Sequence, residues 1–340
     1  MARVTVGIPT YNRCAYLREA MESVLGQTFG DFDLLISDNG STDGTEDMVS
    51  EYARAEKRII YHRFPKNCGM ARNLRHVLMS PDTEFVAFLP DDDLWLPHHL
   101  ASALESLQNV PNAILFACTA ESFGEKAEQD LHRPYWVNGS KSRYVTDTRK
   151  RFVPWLKESP VAAASVVFRG AARDQVTWYN DDRFGPRDWL FWGQISMCGV
   201  TVFDPAVGTK YRWHKGNQSN DLMKGKMAIA QFRYVIRRLA TLALQKGALN
   251  VAELIGEVVK SWAVGPAATL VVALAALDTH PALRKAALEI FHQRPEIGTS
   301  LKSTQHCRMA GRAGTWYLGI ADGVDRLLGQ WWQPARRAPR

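Results

Sequence analysis

The densest chemistry in this 340-residue chain lies in Asp91, Asp92 and Asp93, three consecutive carboxylates that follow the apolar run Phe85–Leu89. Like charges packed so closely raise one another's pKa, and an ionised cluster calls for a counter-charge. Hard divalent cations such as Mg²⁺ bind oxygen and commonly bridge carboxylates to substrate phosphates. The plain alternative is a solvated acidic turn that caps the helical pattern opened by Pro97. Three other stretches carry groups of the same kind. Ile8 to Arg13 stands between a strand pattern and a helical one, where backbone N–H groups meet anions. It holds neither GxGxxG nor GxxxxGK[ST], so dinucleotide and P-loop readings lose support. Asp38 opens the loop Asp38–Gly44, where a carboxylate suits either a ribose or base edge or a capping turn. Asn67–Asn73 places Gly69 and Arg72 at a third helix start, with Arg72 free to meet a phosphate or the carboxylates.

Positioning those loops requires alternating elements, and the sequence supplies them. Strand patterns at Val4–Ile8, Asp33–Ser37, Arg58–His62, Phe85–Leu89 and Ala113–Thr119 alternate with helical ones at 13–25, 45–54, 69–78 and 97–107. This order implies βαβ units, an α/β fold and a largely parallel sheet with helices on its faces. Residues 120–160 are polar, irregular and aromatic. Strand patterns return at Ala162–Phe168, Thr201–Phe203 and Thr209–His214, with a helix expected over Pro186–Met197. Beyond about 225 the pattern turns helical, at 228–245, 251–264, 267–277 and 282–294. The expected organisation is one domain over 1–222, divided at 119 into two halves (1–119 and 120–222), and a helical region over 223–340.

Composition bounds the rest. Hydrophobic residues make up 46% and charged residues 23%, as in a globular protein with ample core material. The five cysteines are far apart and form no CxxC pair, so no disulfide framework or thiolate zinc site is expected, and a cytoplasmic setting fits. No signal-peptide pattern opens the chain. A net charge of +7 without a long basic stripe gives no reason to expect a nucleic-acid partner. The basic, aromatic tail Trp331–Arg340 suits peripheral contact with an anionic membrane, or a solvated end. The apolar faces of the C-terminal helices suit packing on the first domain, a homodimer contact or stability alone.

The four stretches together, Val4–Arg13, Ser37–Thr45, Asn67–Asn73 and Phe88–Trp95, resemble glycosyltransferase family 2 in their motifs and order, and the likeness runs over roughly residues 3–220. It implies a GT-A fold and an inverting, metal-dependent transferase. The donor would be a nucleoside-diphosphate sugar, with UDP favoured over dTDP or GDP, and the acceptor a hydroxyl on a glycan, lipid-linked or small molecule. On this resemblance Pro9, Thr10, Tyr11 and Asp38 would line the base and Arg72 would hold the base or diphosphate. Asp91 would face the ribose, and Asp92 would bind Mg²⁺ or Mn²⁺ with Asp93 close by. The segment Phe184–Trp192 resembles the family's acidic-aromatic helix start and makes Asp188 the base, with Asp181 and Asp182 as substitutes and Trp189 against the acceptor. Tyr211–Ser219 resembles the closing segment, in which His214 would complete the metal site or touch the diphosphate, with Arg212 or Lys215 offsetting charge. Two departures stand out. Pro90 occupies a position that is acidic in many relatives, and Asn39 replaces a frequent second Asp. The rival readings are a sugar-phosphate nucleotidyltransferase and a non-catalytic sugar-nucleotide-binding scaffold.

Overall fold

Strand β1 (Val4–Thr10) and helix α1 (Cys14–Leu25) open the chain, followed by β2 (Phe32–Asp38), α2 (Thr45–Ala55), β3 (Ile59–Arg63) and α3 (Met70–Met79). Then come β4 (Phe85–Phe88), β5 (Leu94–Trp95), α4 (His99–Asn109), β6 (Ala113–Gly124), β7 (Leu131–His132), β8 (Tyr144–Asp147) and β9 (Val167–Arg169). Helix α5 (Arg187–Ser196), the long strand β10 (Val200–Trp213) and helix α6 (Lys226–Gln245) complete the series. This computed structural model describes residues 2–125, 131–132, 142–149, 152–156, 159–178, 186–214, 216 and 226–248. The chain divides into two units, 1–254 and 255–340. The expected helices beyond 250 and the basic tail lie outside the described residues, as do Asp181, Asp182 and Lys215. Among the described residues no helix is long and apolar enough to cross a membrane.

The elements form because their apolar spacing matches their period. Leu17, Ala20, Met21 and Val24 recur at helical intervals and are the buried face of α1. Phe85 to Phe88 are all buried, as a strand covered on both faces requires. Phe85, Phe116, Phe168 and Trp192 are fully enclosed, and each such side chain stabilises the fold by about 1.5–3 kcal/mol.

The strands make one mixed sheet in the order β3-β2-β1-β4-β9-β6-β10-β5, with β7 beside β6 and β8 beside β10. From β3 to β4 every pair is parallel, as the βαβ alternation implies. The second half is mixed: β9 runs antiparallel to both β4 and β6, while β10 is parallel to β6. One difference concerns β10, which the sequence pattern divides into two short strands. Register shifts between Asp204 and Thr209 are absorbed as a bulge within one strand. Pro205, which cannot donate to a ladder, sits inside that bulge and reads in sequence as a break.

Between β1 and β4 the strand order reverses, which opens a crevice at their carboxyl ends where open α/β sheets bind ligands. Gly7 lets α3 lie close over β1, since a Cβ there would stand 2.6 Å from Val77 Cβ. That approach brings Asn73 of α3 to the end of β1, where its amide donates to the Thr10 carbonyl at 3.2 Å.

Candidate active site

One residue past β4 the chain still bonds to β1, with Leu89 N–H donating to the Gly7 carbonyl at 3.1 Å. Pro90 then ends the ladder because it has no N–H, and Asp93 N–H closes the turn on the Pro90 carbonyl. The carboxylates are thereby delivered beside the ends of β1 and β10. Thr10 Oγ1 donates to Asp91 Oδ2 at 2.8 Å. One Arg13 nitrogen bridges Asp91 Oδ1 at 3.1 Å and Asp92 Oδ2 at 2.6 Å. From β10, Arg212 donates its backbone N–H to Asp93 Oδ1 at 2.9 Å and its Nε to the Asp92 carbonyl at 2.7 Å. The Arg212 guanidinium lies over the rings of Tyr16 and Phe123 and pairs with Glu19.

His214 joins the cluster through Nε2, 3.0 Å from Asp92 Oδ2. Its Nδ1 accepts the Gly216 backbone N–H at 3.1 Å, so the proton belongs on Nε2 and is donated to Asp92. The ring also lies 5.0 Å from that of Tyr16. The three carboxylates are thus unequal. Burial pushes Asp91 up to about 6, with Arg13 opposing and Asp92 adding to the shift. Burial and then the Asp92 charge raise Asp93 well above the usual carboxylate range, and Asp93 faces the β10 backbone. Asp92, with its side chain 15% exposed, is the most open of the three.

The second and third loops are built on one another. Gly40 has φ +77 and packs against the Lys66–Asn67 backbone so closely that a Cβ would stand 2.7 Å from the Lys66 carbonyl carbon. The buried Asn39 donates to Asn67 Oδ1 and the Gly69 carbonyl, and its own oxygen accepts Cys68 N–H. That arrangement suits an Asn, because a carboxylate would face two acceptors. Asn39→Asp should lower stability by about 1–3 kcal/mol in urea unfolding. An unchanged midpoint would count against this account of the loop. Asp43 serves two helices, with Oδ2 accepting Cys14 N–H of α1 and Oδ1 accepting Thr45 N–H of α2. Burial opposes its ionisation, but the donations from Thr45 and Cys14 hold Asp43 below its ordinary pKa. Asp43→Ala should cost about 1 kcal/mol near neutral pH. Since the folded pKa is depressed, the difference from wild type should fade as pH falls through the carboxylate range. A pH-independent difference would point to packing instead.

Not every expected site residue faces the crevice. Asp38 is fully buried, accepting Ser41 N–H at 2.9 Å and the Tyr61 hydroxyl at 2.7 Å, so it props the second loop from within. Asp91 has one oxygen held by Thr10 and the other by Arg13. Arg72 is exposed and lies over the Phe64 ring, 5.3 Å away, rather than against the carboxylates. Pro9 is partly exposed, and Tyr11, at 42%, is open to solvent at the end of β1. Trp189 is buried and donates Nε1 to the Trp155 carbonyl at 2.9 Å. An indole with one polar atom is held in the core by satisfying it there. Asp188 occupies the first turn of α5, accepts its neighbour's backbone N–H, and is raised in pKa by burial. Arg187 beside it reaches Met70 Sδ at 3.5 Å, which ties the start of α5 to the start of α3.

Arg13 is the residue that sequence reasoning passed over. Its one signal is position: it is the basic residue that ends the loop after β1, next to the strand that carries the carboxylates. Among the described residues no three His, Cys, Asp or Glu side chains converge to hold a metal ion by themselves. Asp92 and His214 still offer an oxygen and a nitrogen of the kinds Mg²⁺ or Mn²⁺ accepts.

A doubly wound half-sheet with an acidic turn at its switch point defines an open α/β protein with a crevice at its strand ends. Residues 5–176, just over half of the chain, match glycosyl transferase family 2, and the chain belongs to that family. The succinoglycan biosynthesis protein ExoW of Rhizobium meliloti is 40% identical over 110 residues, which is 32% of this chain and 34% of ExoW. The chain spans from about a third to about two thirds of the length of the first curated relatives it matches. Among solved structures, S. aureus TarS 1-349 in complex with UDP-GlcNAc superposes with a TM-score of 0.62 at 16% identity, over 88% of this chain and 91% of TarS 1-349. The mannosyltransferase PcManGT from Pyrobaculum calidifontis, in complex with GDP-Man and Mn²⁺, gives 0.50 at 20% identity, over 84% of this chain and 83% of PcManGT. The shared fold is the GT-A arrangement.

Proposed function

We propose that the protein transfers a sugar from a nucleoside-diphosphate sugar to an acceptor hydroxyl, with inversion at the anomeric carbon. The observation that carries this reading is the gathering of Thr10, Arg13, Asp91, Asp92 and His214 at the switch point of the sheet. Family membership supports it, and so do neighbours of the same fold crystallised with UDP-GlcNAc and with GDP-Man. The exposed Tyr11, with Pro9 and the backbone of Thr10, would bound the base, with uridine favoured. Arg72 stands at the third loop, within reach of a diphosphate should it leave Phe64. Asp92 and His214 would hold Mg²⁺ or Mn²⁺, with donor oxygens filling the remaining positions. A bound cation supplies charge to offset what builds on the departing diphosphate. Asp93 braces Asp92 from behind through β10. Asp188, made more basic by burial, takes the acceptor proton from the face opposite the diphosphate. Trp189 fixes the helix turn that aims Asp188.

The test is donor binding and slow hydrolysis over a panel of UDP-, dTDP- and GDP-sugars with Mn²⁺, Mg²⁺ or EDTA. Metal-dependent binding of one nucleotide, with slow release of its diphosphate, is the expected result. A folded protein that binds no donor under any of these conditions would overturn the reading.

A further inference from the structure

Arg13 joins the loop after β1 to the acidic turn and to residue 216 through one side chain. Its NH1 lies between Asp91 Oδ1 and Asp92 Oδ2, and its NH2 donates to the Gly216 carbonyl at 3.1 Å. The oxygen it holds on Asp92 is the same one that takes the His214 proton. The most open carboxylate of the cluster is therefore already neutralised by a guanidinium and satisfied by an imidazole. A divalent cation approaching Asp92 meets a like charge and a proton in its place. We infer that Arg13 is a resident counter-cation that makes metal binding at Asp92 conditional on the donor diphosphate. This inference rests on the glycosyl-transfer reading of the site.

The physical sequence is simple. Removing Arg13 from Asp92 strips the carboxylate pair of its counter-charge, which is unfavourable for groups this buried. A metal alone compensates only after that separation and against repulsion from the displaced guanidinium. A diphosphate changes the balance, because its oxygens offer Arg13 a fork-shaped anionic partner and the metal further ligands. Arg13 thus acts as a positioning residue that favours the metal–nucleotide complex over free metal.

The readout is Mn²⁺ binding to the full chain at pH 8, followed by electron paramagnetic resonance and calorimetry, with and without UDP or GDP. Wild type should bind Mn²⁺ weakly alone and about tenfold or more tightly with the preferred nucleotide. Arg13→Gln should bind Mn²⁺ alone about tenfold more tightly than wild type, with a smaller gain from nucleotide. Arg13→Lys, which keeps a charge but cannot fork between two carboxylates, should shift in the same direction by about threefold and covers the case in which the first variant fails to fold. Adding Asp92→Asn to either variant should abolish the gain. Nucleotide-free Mn²⁺ affinities within about twofold of wild type in the folded variants would overturn the inference, as would tight Mn²⁺ binding that survives Asp92→Asn. Failure of every nucleotide to bind folded wild type would instead sink the transfer reading, while the nucleotide-free arm still decides the role of Arg13.

Discussion

Asp188→Asn should lower turnover on the order of 10²–10⁴-fold while leaving donor affinity within about twofold. The carboxamide keeps the shape of the side chain and can still accept the Trp189 N–H that Asp188 takes in the first turn of α5. The fold should therefore survive, and the loss should fall on proton transfer alone. Burial raises Asp188, opposed by those backbone donations and by Arg187. A base must be ionised to act, so activity should fall as pH drops through this raised pKa. The acid limb of the rate profile should then lie above the ordinary carboxylate range, and the Asn variant should lack it. Turnover equal to wild type, or an unchanged acid limb, would remove Asp188 from the mechanism.

Asp92→Ala should weaken donor binding in the presence of Mn²⁺ by on the order of 10–100-fold, with little effect in EDTA. The substitution deletes the oxygen shared by Arg13 and His214 but leaves the Asp92 carbonyl that accepts Arg212 Nε. The turn should thus persist, with Arg13 retained by Asp91 and the Gly216 carbonyl. Donor titrations of both proteins, with metal and with chelator, separate the two contributions. Equal wild-type affinity under both conditions would show that Asp92 carries no metal.

Much of the fold was legible because burial imposes period. The alternation from Val4 to Thr119 appears as β1 to β4 and β6 with α1 to α4 between them, boundaries moved by a few residues, while the two-residue β5 has no counterpart in the pattern. β10 was harder. Pro205 and Gly208 read as a loop because sequence records local breaks, whereas the ladder with β6 resumes across them. The antiparallel seating of β9 between β4 and β6 is a long-range pairing that no local pattern encodes. The same limit applied at the site. The carboxylates stood out by density, and His214 by its place after a strand. Arg13 looked like any helix-start arginine, and only the adjacency of β1 and β4 gives it its partners. For Trp189, sequence shows an aromatic next to a carboxylate but not that its indole is buried against the Trp155 carbonyl.

The bond from Arg13 to Gly216 joins residues 203 positions apart, and this has a consequence for how the molecule comes into being. Contacts of such separation close late, after local helices and neighbouring strands have formed. During synthesis the acidic turn is made long before β10, so a nascent chain carries its three aspartates without the backbone of Arg212 or the ring of His214. Strand β6 meanwhile waits with one edge bare, the kind of edge that invites foreign pairing. The matched family segment ends at residue 176, before β10 begins. A ribosome therefore finishes the segment that identifies this family well before the chain can assemble its crevice. Arrival of β10 both covers that edge of β6 and brings the Arg212 backbone and the His214 ring to the carboxylates, so that one strand closes the sheet and completes the crevice.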